Sequence, residues 1–191
     1  MINRVIDISH WNQPINWEKV KAAGIDGVYI KCTGYNFQDP MCLDHATKAK
    51  AQGIAVGYYH FADPNQDATA QALAFKNRLY QLPKSDLMPV LDVEVDTMAN
   101  VKEWIQLFIQ TLGSDMMLYS YQPYLEAHNI SFDFPPPLWL AQYGPTMTIP
   151  KGWGSVALWQ FTNASVIDGM PNPCDEDKPL NQSFVYIPDS E

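Results

Sequence analysis

The segment PVLDVEV at positions 89–95 is an apolar run interrupted by two carboxylates, two positions apart. Its Val and Leu residues predict a buried β-strand, in which successive side chains point to opposite faces. Asp92 and Glu94 therefore point the same way, with Cα atoms roughly 6.5 Å apart at ~3.3 Å per residue. Burying a carboxylate is costly unless it is paired or protonated, so two on one face indicate a functional site. The structural alternative is a strand end whose acids bind basic neighbours or cap the next helix.

Outside this segment, strand-like and helix-like patterns alternate along the whole chain. Predicted strands cover 4–9, 27–32, 55–61, 88–94, 115–121, 137–143 and 156–162, and predicted helices cover 14–24, 42–53, 65–82, 98–112 and 121–128. Such alternation predicts parallel strands joined by crossover helices, and a series this long favours a closed barrel. Connections shorten after residue 115, and 129–137 leaves no room for a helix. We therefore expect an α/β fold, an irregular TIM-like (β/α) barrel with missing helices in its second half.

The chain length predicts a single domain spanning residues 1–191, with no linker, repeat or low-complexity region. The Pro-rich stretches 135–137 and 171–179 are interpreted as ordered loops. No apolar run approaches the ~20 residues of a membrane span. The strand-like sequence begins almost at Met1, so we expect no signal peptide.

Charge and residue types exclude several classes of partner. The net charge of -9 and the pI of about 4.7 argue against nucleic acid or an anionic membrane surface. The four histidines and three cysteines show no metal-ligand spacing, so neither a metal nor a cofactor is expected. Cys32 ends a predicted strand and is interpreted as a small buried hydrophobe, and spacing gives no support to a Cys32–Cys42 disulfide. We expect the chain to act as a monomer.

Acids and aromatics recur where the predicted strands end. In parallel β/α barrels, functional residues lie at the carboxyl ends of the strands. In chain order these ends read DISH (7–10), KCT (31–33), YYHF (58–61), DVE (92–94), YSY (119–121), WLAQY (139–143) and WQF (159–161). We find no serine or cysteine nucleophile motif and no phosphate-binding glycine loop. Paired carboxylates among aromatic rings favour cleavage of a glycosidic bond.

Six sequence motifs, taken together, resemble those of a known enzyme family. The segments DISHW (7–11), GVYIK (27–31), GYYHFA (57–62), LDVE (91–94), LWLAQY (138–143) and LWQFT (158–162) resemble the glycoside hydrolase family 25 lysozymes, in the family's order, over about residues 4–180. The resemblance implies an irregular β/α barrel that hydrolyses the β-1,4 bond between N-acetylmuramic acid and N-acetylglucosamine in peptidoglycan. The expected partner is therefore a peptidoglycan glycan strand.

The same resemblance implies roles for four acids. Glu94 matches the general acid that protonates the leaving oxygen, and Asp92 matches the partner that orients or stabilises the developing charge. Asp7 matches the acid that ends the first strand. The family's fourth acid belongs to a D-x-N segment, for which Asp175 is our choice and Asp168 or Asp177 the alternatives. Asp177 departs from the pattern because it occupies the usual Asn place.

Further positions are implied as lining residues. Tyr59, Tyr119 and Trp139 match aromatic positions of the groove, with core packing as the alternative for each, and Lys31 matches a basic position near it. Many relatives read Lys-Ala-Thr-Glu-Gly where this chain reads KCTGY at 31–35, so no role is taken from that missing acid. The lone histidines His10 and His60 are interpreted as structural.

We therefore expect a muramidase in which Glu94 is partly protonated near neutral pH. Either the N-acetyl group of the substrate attacks with help from Asp92, or an acid such as Asp175 activates water with inversion. The alternatives are a catalytically silent glycan-binding barrel and a related chitin or N-acetylglucosamine hydrolase. Without a signal peptide, synthesis in the cytoplasm and later release or delivery to the cell wall would fit a phage endolysin, an injected effector or a trimmed mature fragment.

Overall fold

The computed structural model describes residues 1–186, so 187–191, the end of the predicted domain, lies outside the described residues. In chain order, the strands of the described part are β1 (Val5–Ile8), β2 (Gly27–Gly34), β3 (Phe37–Gln38), β4 (Ala55–Phe61), β5 (Val90–Asp92), β6 (Met117–Tyr121), β7 (Leu138–Ala141), β8 (Leu158–Ser165) and β9 (Cys174–Pro179). The helices are α1 (Trp17–Ala22), α2 (Cys42–Ala51), α3 (Ala68–Leu79), α4 (Val101–Leu112) and α5 (Gln122–Ala127). All seven predicted strands and all five predicted helices are confirmed; the strand 55–61 has its predicted bounds, and the other elements have shifted ends.

The sheet closes into a barrel of eight strands. From β1 the order around the barrel is β2, β4, β5, β6, β7, β8 and β9, and β9 returns to β1. Neighbouring strands from β1 to β8 are parallel, whereas β9 is antiparallel to both β8 and β1. The short β3 pairs with the end of β2 outside the barrel. Between β7 and β8 the described chain has no helix, so the expected irregular barrel with missing helices is confirmed.

Two details of the strands correct the sequence analysis. The stretch 171–179, interpreted as a loop, contains β9, which was overlooked because its charged sequence CDEDKP lacks the β-branched and aromatic residues typical of strands. The predicted strand 88–94 ends at Asp92, so Glu94 lies two residues beyond β5. The predicted alternation of sides nevertheless continues past the strand end.

Alternating side chains build two apolar layers. Val5, Val90 and Met117 point into the barrel, where they pack with Tyr29 and Trp139. Their sequence neighbours point outward into a larger core beneath the helices, formed among others by Ile6, Val28, Leu91, Leu118 and Phe108. Apolar residues fill the barrel at the amino ends of the strands. The inward positions nearer the carboxyl ends carry polar groups instead, and this change of polarity locates the site.

Local signals explain where several helices begin. Asn16 caps α1 by accepting a hydrogen bond from the backbone N–H of Lys19 at 3.1 Å, as its position predicts. α3 begins at Ala68 rather than at 65, because Asp67 accepts from the backbone N–H of Ala70 at 2.6 Å. The three cysteines are buried free thiols, which confirms the interpretation of Cys32. No helix in residues 1–186 is long and apolar enough to cross a membrane.

Candidate active site

A cavity of about 260 Å³ lies at the carboxyl ends of the parallel strands, the end at which β/α barrels carry function. It brings together all eight residues that the sequence analysis assigned to the site. The lining residues are Asp7, Lys31, Tyr59, Phe61, Asp92, Glu94, Tyr119, Trp139, Tyr143, Gln160 and Asp175. Phe61, Tyr143 and Gln160 are the lining residues to which the sequence analysis gave no role.

Side-chain hydroxyl groups hold the backbone around Glu94, where the strand pairing has ended. Ser120 Oγ donates to the carbonyl of Val93 at 2.7 Å, and the Tyr124 hydroxyl donates to the carbonyl of Val95 at 2.9 Å. These two hydrogen bonds fix the residue on each side of Glu94. Its half-buried carboxyl group therefore reaches the cavity without being part of a sheet.

Gln160 connects the acid of β1 to two aromatic side chains. Its Nε2 donates to Asp7 Oδ2 at 2.8 Å, while its Oε1 accepts from the hydroxyls of Tyr119 at 3.0 Å and Tyr143 at 3.2 Å. Gln160 is buried, so this amide has a fixed orientation. The sequence alone indicates that Gln160 points into the barrel, because it lies two positions after Leu158, which does so.

β9 supplies two more acids to the barrel interior. Asp175 lies opposite Asp7 in the pairing of β9 with β1 and lines the cavity. Asp177 lies two residues deeper, opposite Val5, and is 1% exposed. Trp139 Nε1 donates to Asp177 Oδ1 at 2.7 Å. β9 runs against the other strands, so its chain descends from the rim into the barrel.

Among the three candidates for the fourth acid, Asp175 is the one that lines the cavity. Asp168 is exposed and forms an ion pair with Lys19 at 3.3 Å, beside a separate surface depression of about 740 Å³. That depression lies between α1, α2 and residues 168–171 and contains none of the barrel acids. The catalytic role of Asp175 itself stays a prediction.

Burial changes the ionisation of Asp92 at the end of β5 and of Glu94 just beyond it. It raises the pKa of Asp92 well above the usual range, and the charge of Glu94 adds to the rise while Lys31 opposes it. Burial also raises the pKa of Glu94, with Lys31 lowering it and Asp175 raising it. Close acids titrate as a unit, so this pair retains a proton at a pH where an isolated carboxyl group is ionised.

The acids of β1 and β9 are shifted in the same direction. Burial and then the charge of Asp175 raise the pKa of Asp7 well above the usual range, while hydrogen bonds from Gln160 and Asp177 oppose the rise. Burial is also the largest cause of the raised pKa values of Asp175 and Asp177. The cavity therefore combines a high density of carboxyl groups with a limited negative charge.

Lys31 is the single basic side chain among the described residues that line this cavity. Its Nζ lies 4.2 Å from the centroid of the Phe61 ring, a cation–π contact that fixes the ammonium group. The charge of Lys31 lowers the pKa values of Asp92 and Glu94 and so limits their protonation.

The three predicted aromatic lining residues differ in exposure. Tyr59 and Tyr119 are half-buried and open to the cavity, whereas Trp139 is 2% exposed and forms its floor. The Trp139 ring packs edge-on against Tyr119 at 4.9 Å between centroids. Contact of these rings with a sugar stays a prediction.

A second depression of about 230 Å³ adjoins the acid cavity. Its lining residues are Glu94, Tyr119, Tyr121, Ala141 and Tyr143. Glu94, Tyr119 and Tyr143 line both hollows. Glu94 therefore stands at the boundary between a hollow rich in acids and one rich in aromatic rings.

The histidines lie outside the cavity lining. His60 is fully buried, with Nδ1 at 2.8 Å from Thr33 Oγ1 and Nε2 at 3.0 Å from Gln71 Oε1, and burial lowers its pKa to about 4. His10 Nδ1 lies 2.9 Å from Asp39 Oδ2. Its burial and its contacts with Thr33 and Gln71 explain why His60 is interpreted as a structural residue. No group of three or more His, Cys, Asp or Glu side chains within residues 1–186 is arranged to hold a metal ion.

Comparison with known proteins gives a match to one family. The family model described as glycosyl hydrolases family 25 matches residues 6–170, most of the chain. This chain belongs to glycosyl hydrolase family 25. The family 25 match ends before β9, so the placement of Asp175 rests on the strand pairing rather than on that match.

Relatives of this family 25 chain carry lysozyme names. Lysozyme M1 of Streptomyces globisporus is 30% identical over 194 residues, and the autolytic lysozyme of Clostridium acetobutylicum is 29% identical over 181 residues. Each alignment covers 91% of this chain but 66% and 54% of the two relatives, respectively. The crystal structure of a bacterial lysozyme from Streptomyces coelicolor superposes with a TM-score of 0.82 at 26% identity, covering 96% of this chain and 94% of that one.

Proposed function

We propose that this chain is a lysozyme of the N-acetylmuramidase type. It hydrolyses the β-1,4 bond between N-acetylmuramic acid and N-acetylglucosamine in peptidoglycan, with Glu94 as general acid and Asp92 assisting. Membership of family 25 and the lysozyme names of the relatives support the activity. The residue roles are supported by the convergence of the acids in one cavity.

The position of Glu94 between two hollows carries the assignment. A general acid for glycoside cleavage must lie beside the bond, with one sugar on each side of it. The acid hollow stabilises positive charge and suits the sugar whose anomeric carbon becomes oxocarbenium-like. The neighbouring hollow, with Tyr121 and Tyr143, suits the departing sugar because aromatic faces pack against the apolar faces of sugar rings.

In the first step, Glu94 donates its proton to the departing glycosidic oxygen. The N-acetyl oxygen of the muramic acid attacks the anomeric carbon from the other face, and Asp92 accepts a hydrogen bond from the N–H of that group. This substrate-assisted route is one of the recognised exceptions to the scheme with a carboxylate nucleophile. Water then opens the cyclic intermediate while Glu94 takes back a proton, so the product keeps the β configuration.

Asp7 and Asp175 stabilise the developing positive charge from the side of β1 and β9. They lie opposite each other in the strand pairing and both line the acid hollow. Preorganised charge of this kind does not need to reorient during the reaction, which is why it lowers the barrier. The half-buried Tyr59 and the ammonium group of Lys31 complete the wall that contacts the sugar.

Digestion of purified peptidoglycan tests the proposal. The wild-type protein should release new reducing ends, and mass spectrometry of the muropeptides should place muramic acid at those ends. Glu94→Gln serves as the matched control because it preserves shape and removes the acid. A folded wild-type protein that binds the glycan without releasing reducing ends would instead be a silent glycan-binding barrel. Cleavage leaving N-acetylglucosamine at the reducing end, or cleavage of chitin alone, would indicate the related hydrolase.

The stereochemistry of the product tests the route separately. Retention of the β-anomer, followed by NMR immediately after cleavage, is expected for attack by the N-acetyl group. The α-anomer as first product would assign water activation to an acid such as Asp175 and remove the substrate-assisted step.

We further propose that the chain acts on the cell wall as a monomer. The described residues of one chain supply every side chain of both hollows, so a second copy is not needed to complete them. Light scattering coupled to size exclusion should give the mass of one chain at active concentrations. A stable dimer would contradict this part of the proposal.

A further inference from the structure

Asp177 is an acid for which the proposed reaction has no role. It is 1% exposed at the bottom of the acid cluster, and Asp177 Oδ2 is buried with no N–H or O–H donor within hydrogen-bonding distance in the described structure. The other oxygen accepts from Trp139 Nε1 at 2.7 Å. One side of this carboxyl group is therefore satisfied as an acceptor and the other is not.

The missing partner is a second carboxyl group. In the pairing of β9 with β1, Asp177 lies opposite Val5, two positions from Asp7 and on the same inward face, so the side chains of Asp177 and Asp7 are within hydrogen-bonding reach of each other. Asp7 already accepts a hydrogen bond from Gln160 Nε2 on Oδ2. Two ionised carboxylates can only accept hydrogen bonds, so they cannot form one between them. The contact requires a proton on one of the two.

The surroundings of the two acids favour a proton on Asp177 rather than on Asp7. The titratable groups of the described chain whose charges interact with it are Asp7 on β1, Tyr29 on β2, Tyr143 after β7, and Cys174 and Asp175 on its own strand. None of them is a cation that could neutralise a second carboxylate. Asp177 is also the more deeply buried of the two acids, since Asp7 is half-buried and lines the cavity. Burial raises the pKa of Asp177, and its hydrogen bond to Asp7 raises it further.

We propose that Asp177 is a neutral carboxylic acid that donates its proton to Asp7. Asp177 is thus a positioning residue: it holds the Asp7 carboxylate in place and ionised, while Trp139 fixes the orientation of Asp177 itself. Only the activity measurements for this assignment rest on the proposed lysozyme function.

Stability as a function of pH tests the shared proton without reference to activity. Asp177→Asn preserves both contacts because an amide accepts from Trp139 through its oxygen and donates to Asp7 through its nitrogen. The native wild-type protein binds a proton that its unfolded chain releases above the ordinary Asp pKa. Its folding equilibrium constant should therefore fall, relative to that of Asp177→Asn, by up to about tenfold per pH unit until the pair's raised pKa is passed.

Glu176→Gln is the matched control for this measurement. It removes one acid from the same strand, but on the opposite face, where Glu176 pairs with Arg4 at 2.8 Å. As the pH rises, the folding equilibrium constant of the wild type should not fall relative to that of Glu176→Gln. Parallel stability curves for wild type and Asp177→Asn would overturn the proposal.

Infrared spectroscopy gives a direct readout of the proton. The difference spectrum between the wild type and Asp177→Asn at neutral pH should contain a carbonyl band of a protonated carboxylic acid, because the proton retained by Asp92 and Glu94 contributes to both proteins and cancels. A difference spectrum without this band would contradict a neutral Asp177. If the wild type proves inactive on peptidoglycan, the proposed function fails, and these two measurements still decide the assignment.

Activity separates positioning from simple packing. Asp177→Asn should keep kcat within about threefold of the wild type and extend activity to higher pH, because an amide cannot lose its donor proton. Asp177→Leu, of similar size without a donor, should lower kcat about ten- to a hundredfold with a smaller change in KM. Equal loss of activity in both variants, or full activity in Asp177→Leu, would contradict the positioning role. Should the leucine variant not fold, the pH profile of Asp177→Asn decides alone.

Discussion

Strands β5 and β9 each deliver two inward-facing acids with the same spacing, yet the two pairs are in different states. On β5 the chain rises toward the rim, so Asp92 is buried and Glu94, two residues later, reaches the boundary of two hollows. On β9 the chain runs the other way, so Asp175 lies at the cavity and Asp177 is buried beneath it.

Strand direction thus determines which member of an acid pair can meet a substrate. The period of two puts both members on one face in either strand. The second member is the less buried one after β5 and the more buried one on β9, because the two strands run in opposite directions. The same change, acid to amide, can be made at all four positions, and the expected effects fall in the order Glu94, Asp92, Asp175, Asp177.

The largest effect is expected at Glu94, the half-buried acid just beyond β5. Glu94→Gln should lower kcat by about 10²–10⁴-fold because the amide cannot donate the proton that the leaving oxygen requires. Reducing-end release from purified peptidoglycan measures the loss, and circular dichroism checks the fold. Activity near that of the wild type in a folded variant would remove Glu94 from the role.

The next-largest losses of kcat are expected at the assisting acid of β5 and at the rim acid of β9. We expect Asp92→Asn to lower kcat by about 10²–10³-fold and Asp175→Asn by about tenfold, since Asp92 directs the attacking group and Asp175 only adds to the field. Asp168→Asn is the matched control: its carboxylate is exposed beside Lys19, so kcat should stay unchanged. Asp168→Asn being more severe than Asp175→Asn would reverse the choice of fourth acid.

A smaller effect is expected from the hydroxyl groups that replace the sheet after β5. Tyr124→Phe removes the donor to the Val95 carbonyl and should cost about 1 kcal/mol of unfolding free energy. It should also lower kcat by up to about tenfold, because Glu94 is held less firmly. Tyr80→Phe, at an exposed tyrosine that lines neither hollow, provides the comparison. Thermal denaturation and steady-state kinetics measure both, and equal kcat values for the two variants would show that the backbone contact is dispensable.

The last prediction concerns the pH dependence of stability rather than the rate of the reaction. The folded-state pKa of Asp92 is raised above its ordinary value of 3.8, so between these two values the native state binds more protons than the unfolded state. Unfolding free energy should therefore fall as pH rises through this window, by up to about 1.4 kcal/mol per pH unit and proton. Asp92→Asn should show a shallower decline in urea titrations at several pH values. An identical slope in both proteins would mean that Asp92 is ionised in the native state.

The two strands also differ in how well the sequence predicts them. β5 lies in a run of Val and Leu, so its strand character and the common side of Asp92 and Glu94 are readable from local pattern. β9 reads CDEDKP, and its strand conformation comes from pairing with β1 and β8 on its two edges. Propensity cannot reveal a strand whose stability comes from its neighbours. The role of Gln160 was equally hidden, because its partners lie on three other strands or strand ends.

By itself, the sequence determined the alternation of strands and helices, the barrel class, the family resemblance and seven of the eight residues that meet in the cavity, because periodicity and motif are properties of neighbouring residues. The tertiary structure alone decided that β9 closes the barrel in the opposite direction, that Asp175 rather than Asp168 reaches the cavity, and that Asp177 lies against Asp7. These outcomes depend on distances between residues far apart in the chain, and protonation follows from the burial and charges that those distances create.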